Sequence, residues 1–177
     1  MPTIFSHVAV PLAIGLGLGS GVISRRLLIA GVAASILPDA DVVGFRLGIL
    51  YEEALGHRGA SHSLVFAALV ALLACAGARF LQAGRLTTFL FVFAAAASHG
   101  LLDMLTNGGL GVALMWPWSD ARLFFPLRPV SVSPFSLQAL LSSRGVRVAL
   151  SELVWIWLPA AGAGAALYFG SRKRTWG

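Results

Sequence analysis

Charge is scarce in this chain. Only 11% of its 177 residues are Asp, Glu, Lys or Arg, about half the share of a soluble domain, which excludes an ordinary water-soluble globule. Cysteine is nearly absent: the single Cys75 lies inside an apolar run, can make no intrachain disulfide and reads as packing. There is no repeat and no low-complexity tract. The N-terminal stretch Met1 to Ser6 carries no Lys or Arg, and no small-residue cleavage site follows it. The first apolar run therefore reads as an uncleaved span rather than a signal peptide.

What is present is hydrophobicity, at 58% of residues with a mean hydropathy of +0.84. Several apolar runs of spanning length predict an all-α polytopic membrane helical bundle of about five spans, with residues 1–177 as a single membrane-embedded domain. The net charge of +6 would suggest nucleic acid in a soluble protein. Here the basic residues stand singly or in pairs between apolar runs, read as topology signals, and predict no nucleic-acid partner.

The expected spans are 4–23, 27–37, 63–78, 86–105 and about 149–169. The second is too short to cross a core needing about 20 residues. Pro38 interrupts it just before Asp39-Ala40-Asp41, so it is expected to be a broken helix continuing irregularly toward Tyr51, tolerated only against protein or a water-filled cavity. Residues 106–148, rich in Trp, Phe, Pro and Arg, form an extramembrane or interfacial segment between spans four and five. The basic groups Arg25-Arg26, Arg79/Arg85 and Arg172-Lys173-Arg174 fall on one side if there are five spans. Positive charge marks that side as cytoplasmic, which predicts the N-terminus outside and the C-terminus inside. Gly15, Gly17, Gly19 and Gly21 alternate in the first span and predict close helix packing; they lack the spacing and strand context of a dinucleotide site.

All four histidines, His7, His57, His62 and His99, and three aspartates, Asp39, Asp41 and Asp103, lie in or beside these runs. Ionisable groups in spans are costly and mark sites or pathways. At 1.5 Å per residue from the cytoplasmic end of each helix, Asp39 and His99 lie at roughly 18–20 Å and His7, His62 and Asp103 at roughly 24–26 Å. Four helices thus bring His and Asp into one outer half-layer, which predicts a convergent site. His99 and Asp103 share a helix face. Ser61, before the third span, is a candidate cap. Imidazole nitrogen and carboxylate oxygen without thiolate suit Zn²⁺, with Mn²⁺ or Fe²⁺ as alternatives.

The series Ser6-His7, Leu37-Pro38-Asp39-Ala40-Asp41, His57-Arg58-Gly59-Ala60-Ser61-His62-Ser63 and Ser98-His99-Gly100-Leu101-Leu102-Asp103, with Trp116-Pro117-Trp118-Ser119-Asp120-Ala121-Arg122 and Phe124-Phe125-Pro126, resembles the YdjM-like family of bacterial inner-membrane proteins, described as metal-dependent hydrolases. The order of His and Asp is also similar to a reduced form of the zinc-dependent phospholipase C and P1 nuclease pattern. These likenesses imply a bacterial inner-membrane location with the site on the periplasmic side, and His7, Asp39, His62, His99 and Asp103 as metal ligands. No histidine follows His99, so one or two ions are expected rather than the three of the soluble enzymes.

The resulting expectation is a membrane-bound hydrolase of a phosphoester in a lipid or lipid-linked substrate. Asp41, His57 and Arg58 are its catalytic candidates, and Arg122 and Arg128 are candidate phosphate holders. Asp41 would orient a ligand or accept the water proton, His57 would protonate the leaving group or add a ligand, and Arg58 would hold phosphate. Segment 110–135 would lie over the site. The alternative is an ion- or proton-coupled transporter using the same cluster. A haem carrier is disfavoured by the Asp companions, and a serine hydrolase by the lack of a separate base.

Overall fold

The computed structural model describes residues 1–134 and 136–173; Arg174, the last of the C-terminal basic triplet, lies outside them. Among the described residues the protein is all-helical, with two isolated bridges, Thr106 with Val130 and Val112 with Leu123, and no strand. Five apolar helices form the bundle: α1 (Ile4–Leu18), α2 (Arg25–Leu47), α3 (Leu64–Ala76), α4 (Arg85–Met104) and α5 (Ser143–Arg172). Of these, α2, α4 and α5 are long and apolar enough to cross a membrane, while α1 and α3 are shorter. The expected five runs are therefore present as helices, three of them at spanning length.

Proline chemistry shapes two of the five. Pro11 has no N–H to give the carbonyl of His7, four residues back, and α1 breaks there, into Ile4–His7 and Ala9–Leu18 about Val8. Pro38 does the same to α2, which runs as α-helix over Arg25–Ile36 and as 3-10 helix over Leu37–Leu47. The broken second helix is thus observed. Both breaks fall beside a site residue, His7 and Asp39.

The central helix is α4, packed against both α2 and α3, while α1 lies along α5. Leu27 of α2, Ala67 and Ala71 of α3 and Phe91, Val92 and Ala96 of α4 form the main core. Large apolar side chains point outward around the bundle, including Leu16, Ile29, Leu73, Leu86 and Leu90, as expected where lipid replaces water as solvent. The glycine run in the first span divides by role. A Cβ on Gly17 would stand 2.7 Å from the carbonyl oxygen of Gly164 in α5, and one on Gly15 2.5 Å from Leu28 Cδ1, so these two permit close packing. Gly19, at φ +76°, ends α1, and Gly21 faces open space; the packing expectation does not extend to them.

The two ends of the bundle differ. At one, Ser24 caps α2 by accepting from Leu27 N, its hydroxyl also binds the Leu81 carbonyl, and Arg26 bonds the Phe80 carbonyl. At the other, the connection 48–63 and the segment 105–136 are laced together: Ala113 N donates to Arg58 O at 2.9 Å, Leu64 N to Leu114 O at 3.0 Å, and Phe125 N to Met104 O at 3.0 Å. Val112 and Val130 from this segment are fully buried. The last helix begins at Ser143, earlier than 149, so the end of the expected interfacial segment is helical. It carries one π-helical turn, Leu153–Trp157, directly after Glu152.

Candidate metal centre

Each histidine and aspartate reaches the laced end by a different local device. His7 sits at the proline-induced break of α1, Asp39 in the 3-10 part of α2, and His99 and Asp103 on the last turns of α4. His62 ends a 3-10 turn, Ala60–His62, ahead of α3. That turn approaches α4 closely because Gly100 has no side chain: a Cβ there would lie 2.6 Å from the His62 carbonyl oxygen. Ser63, not Ser61, caps α3 by accepting from Phe66 N. The expected cap is therefore displaced by two residues, and the Ser61 hydroxyl is turned to Asp41 instead.

The side chains converge. His62 Nε2 lies 3.1 Å from His99 Nε2, 3.4 Å from Asp103 Oδ2 and 3.7 Å from Asp39 Oδ1. His99 Nε2 is 3.3 Å from Asp39 Oδ1, and His7 Nε2 is 3.7 Å from Asp103 Oδ1 and 4.0 Å from Asp39 Oδ2. The rings of His7 and His99 stack at 3.7 Å. His7, His99 and Asp103 are fully buried, and Asp39 and His62 nearly so.

These distances are compatible with a cation cage. Two ligands of one ion at about 2.0–2.2 Å cannot be more than roughly 4.4 Å apart, and all six separations fall inside that limit. Both nitrogens of His7 and all four carboxylate oxygens of Asp39 and Asp103 are buried without a hydrogen-bond partner. Such atoms are costly to bury uncompensated. The tautomers agree with this reading. His99 Nδ1 is 2.7 Å from the Ser35 carbonyl, an acceptor only, so it donates there and the neutral ring turns its Nε2 lone pair inward. Ser61 spends its single proton on Asp41 at 2.6 Å. His62 Nδ1, 3.0 Å from Ser61 Oγ and 3.2 Å from Asp41, therefore donates outward, and Nε2 faces the cluster.

Asp41 stands behind His62 as its carboxylate partner, and also accepts from His57 Nδ1 at 2.7 Å. His57 thus reaches the centre through Asp41. Asp39, His57 and His62 also have donor atoms within 4.8 Å of one another, as do His7, His99 and Asp103. The 3.1 Å and 3.4 Å contacts of His62 with His99 and Asp103 merge the two sets into one cluster. Asp39, Asp41 and Asp103 contribute three carboxylates to the cluster, and Arg58 pairs with Asp103.

Arg58 differs from its expected role. It is fully buried in the left-handed conformation, φ +64°, with Nε 3.1 Å from Asp103. Its other nitrogens donate to the carbonyls of Gly108 and Leu110 and to Thr106 Oγ1. A guanidinium so spent positions Asp103 and has no open face for phosphate. Arg122 lies outside the cluster and donates to the carbonyls of Tyr51, Glu52, Glu53 and His57; partial burial lowers its pKa. Burial likewise pushes the Tyr51 phenol up. Arg128 lies over the Phe124 ring, 4.8 Å from its centroid. Neither Arg122 nor Arg128 joins the His/Asp cluster.

Glu152 was not a candidate, yet it anchors the centre. Buried on α5, it accepts from Thr3 N, Thr3 Oγ1 and Ser6 Oγ, while Trp157 Nε1 from the following π turn also reaches Ser6 Oγ at 3.1 Å. These bonds hold the segment that carries His7. The signal was a lone carboxylate in the last apolar run; its partners lie almost the whole chain away.

A family model, YdjM inner membrane protein, matches residues 1–176. The protein named Inner membrane protein YbcI of Escherichia coli (strain K12) is 51% identical over 160 residues, covering 90% of this chain and 92% of its own length. No solved structure matches.

Proposed function

The chain belongs to the YdjM family of inner membrane proteins, and on that footing we propose that it is a membrane-embedded, metal-dependent hydrolase of a phosphoester in a lipid or lipid-linked substrate. The observation that carries this reading is the set of buried, unpartnered donor atoms of His7, Asp39 and Asp103 converging with His62 and His99. These five residues would hold one divalent ion, zinc by the chemistry of the donor set, with manganese or iron as substitutes. When bound, such an ion lowers the pKa of a coordinated water and polarises a phosphoryl oxygen.

The protein's own residues supply the rest. Asp41 fixes the ring of His62 and links it to His57, an arrangement that orients a ligand and raises its basicity. His57 and Asp41 are the nearest acid–base couple outside the ligand set. Arg58 holds Asp103 by an ion pair, and Glu152 holds the segment leading to His7. In the reaction the water oxygen bonds to phosphorus, the ester P–O bond breaks, and a proton ends on the departing alcohol. Burial of the cluster keeps bulk water from competing with the ligands. The site faces the periplasmic side in the arrangement given by the basic residues, with the C-terminus cytoplasmic.

The test is metal analysis of the purified protein, followed by phosphodiesterase and lipid-phosphate assays on wild type, His99→Ala and Asp39→Ala. Stoichiometric metal and metal-dependent turnover, both lost in the variants, support the reading. Metal-free protein whose fold is indifferent to these residues rejects it. Cation flux into liposomes without turnover points to transport instead.

A further inference from the structure

Two clefts open beside the centre, and they differ in chemistry. The first, about 360 Å³, is lined by Met1, Ile4, Val42 and Phe45 and has Asp39 in its wall. Apart from Asp39 it is apolar, and Ile4 and Phe45 are nearly half exposed. The second, about 340 Å³, is lined by residues that include Tyr51, His57, Gly109, Val132 and Arg144. No carboxylate lines it. The two share Met1 as a common wall.

The second cleft also contains the guanidinium of Arg144. Arg58, Arg122 and Arg128 are engaged as described above. Among the described residues, the exposed guanidinium of Arg144 has no hydrogen-bond or ion-pair partner, and neither has that of Arg147, which lines a third cleft with Arg144, Asn107 and Ser131. The planar guanidinium of an arginine facing a cleft without a counter-charge is suited to an anion such as phosphate. The second cleft ends on His57, the residue joined through Asp41 to His62, and the apolar cleft ends on Asp39, inside the cluster. A ligand lying across Met1 would therefore bring the junction of its two halves beside the centre.

We propose that the substrate is an anionic amphiphile whose alkyl chain lies in the cleft between Ile4 and Phe45 and whose anionic headgroup is received by Arg144 in the adjoining cleft. This rests on the hydrolase reading for its chemistry and adds the substrate seat. Each cleft is at the small end of ligand pockets, about 300–1,000 Å³, and together they fit one chain and one head rather than a bulky multi-chain lipid. Arg144, at the site end of α5, takes the phosphate role, with Arg147 beside it.

The experiment is equilibrium binding to the metal-loaded full-length protein in dodecyl maltoside micelles. The probes are dodecyl phosphate, dodecanol and inorganic phosphate, and the proteins are wild type, Arg144→Gln and Val42→Trp. Dodecyl phosphate should bind more tightly than either fragment. Arg144→Gln should weaken it by about tenfold or more, the loss of one charge-assisted bond, and leave dodecanol unchanged. Val42→Trp, which fills the apolar cleft, should weaken both dodecyl compounds and spare inorganic phosphate. Unchanged dodecyl phosphate binding in Arg144→Gln, or dodecanol binding as tightly as dodecyl phosphate, overturns the proposal. Since the readout is binding, absent turnover would strike the hydrolase reading alone, while turnover indifferent to Arg144 and to chain length would strike the seat alone.

Discussion

Replacing Asp41 by Asn tests the centre without touching a proposed ligand. The carboxylate accepts from three donors, His57 Nδ1 at 2.7 Å, Ser61 Oγ at 2.6 Å and His62 Nδ1 at 3.2 Å. An amide offers one oxygen and one NH₂ in the same space, so at least one of these donors meets another donor. If the NH₂ turns toward His62, the ring is driven to the Nε2–H tautomer, which puts a proton on the atom that faces His99 at 3.1 Å. Removal of an outer carboxylate of this kind typically costs 10–100-fold in metal affinity, or about 1.4–2.7 kcal/mol. Competition against a chromogenic chelator, with full-length protein in detergent, reads this directly. Asp41→Asn should show a Kd for Zn²⁺ raised within that range, with the same helical content as wild type. Wild-type affinity in this variant would refute the tautomer argument and with it the assignment of His62 Nε2 as a ligand atom.

Three further outcomes are expected. Arg58→Ala leaves Asp103 buried without its cation and removes the bonds to the carbonyls of Gly108 and Leu110, and should cost about 3–5 kcal/mol, measured as a lowered unfolding midpoint in detergent; Arg58→Lys, unable to span the same four groups, should recover little of it. Gly100→Ala places a Cβ 2.6 Å from the His62 carbonyl and should displace the Ala60–His62 turn, lowering bound metal per protein while α4 stays helical. Chelation should lower Tm and readdition of Zn²⁺ restore it, since an ion held at 1,000 times its Kd stabilises by about 4 kcal/mol; a Tm indifferent to chelator would argue against a cation in the cluster.

Much of this architecture was legible because the determinants are local. Pro38 breaks α2 through its missing N–H, whatever surrounds it, so the irregular second helix is visible from spacing alone. His99 and Asp103 share a face by helix geometry. The common level of His7, Asp39, His62 and His99 followed from rise per residue, although His62 proved to lie on a 3-10 turn ahead of α3 and not on the helix itself. The level agreed because that turn abuts α4 at Gly100, a contact between residues 38 positions apart in sequence. Roles that depend on such contacts were not legible. Ser61 looked like a cap and binds Asp41, and Arg58 looked like a phosphate group holder and is spent on Asp103 and Thr106. Glu152 was no candidate and holds Thr3 and Ser6.

The sequence by itself determined that the chain is a membrane helical bundle with its histidines and three of its aspartates gathered at one end, because hydropathy, proline and helical rise act within each segment. Only the tertiary structure decided which atoms of those groups face one another, which arginines are already engaged and which is open. Those outcomes depend on the packing of α4 between α2 and α3 and on the lacing of residues 105–136 over the end of the bundle. A carboxylate reads the same in sequence whether its oxygens meet a guanidinium, an imidazole N–H or the space for a cation, and burial in the fold separates the three.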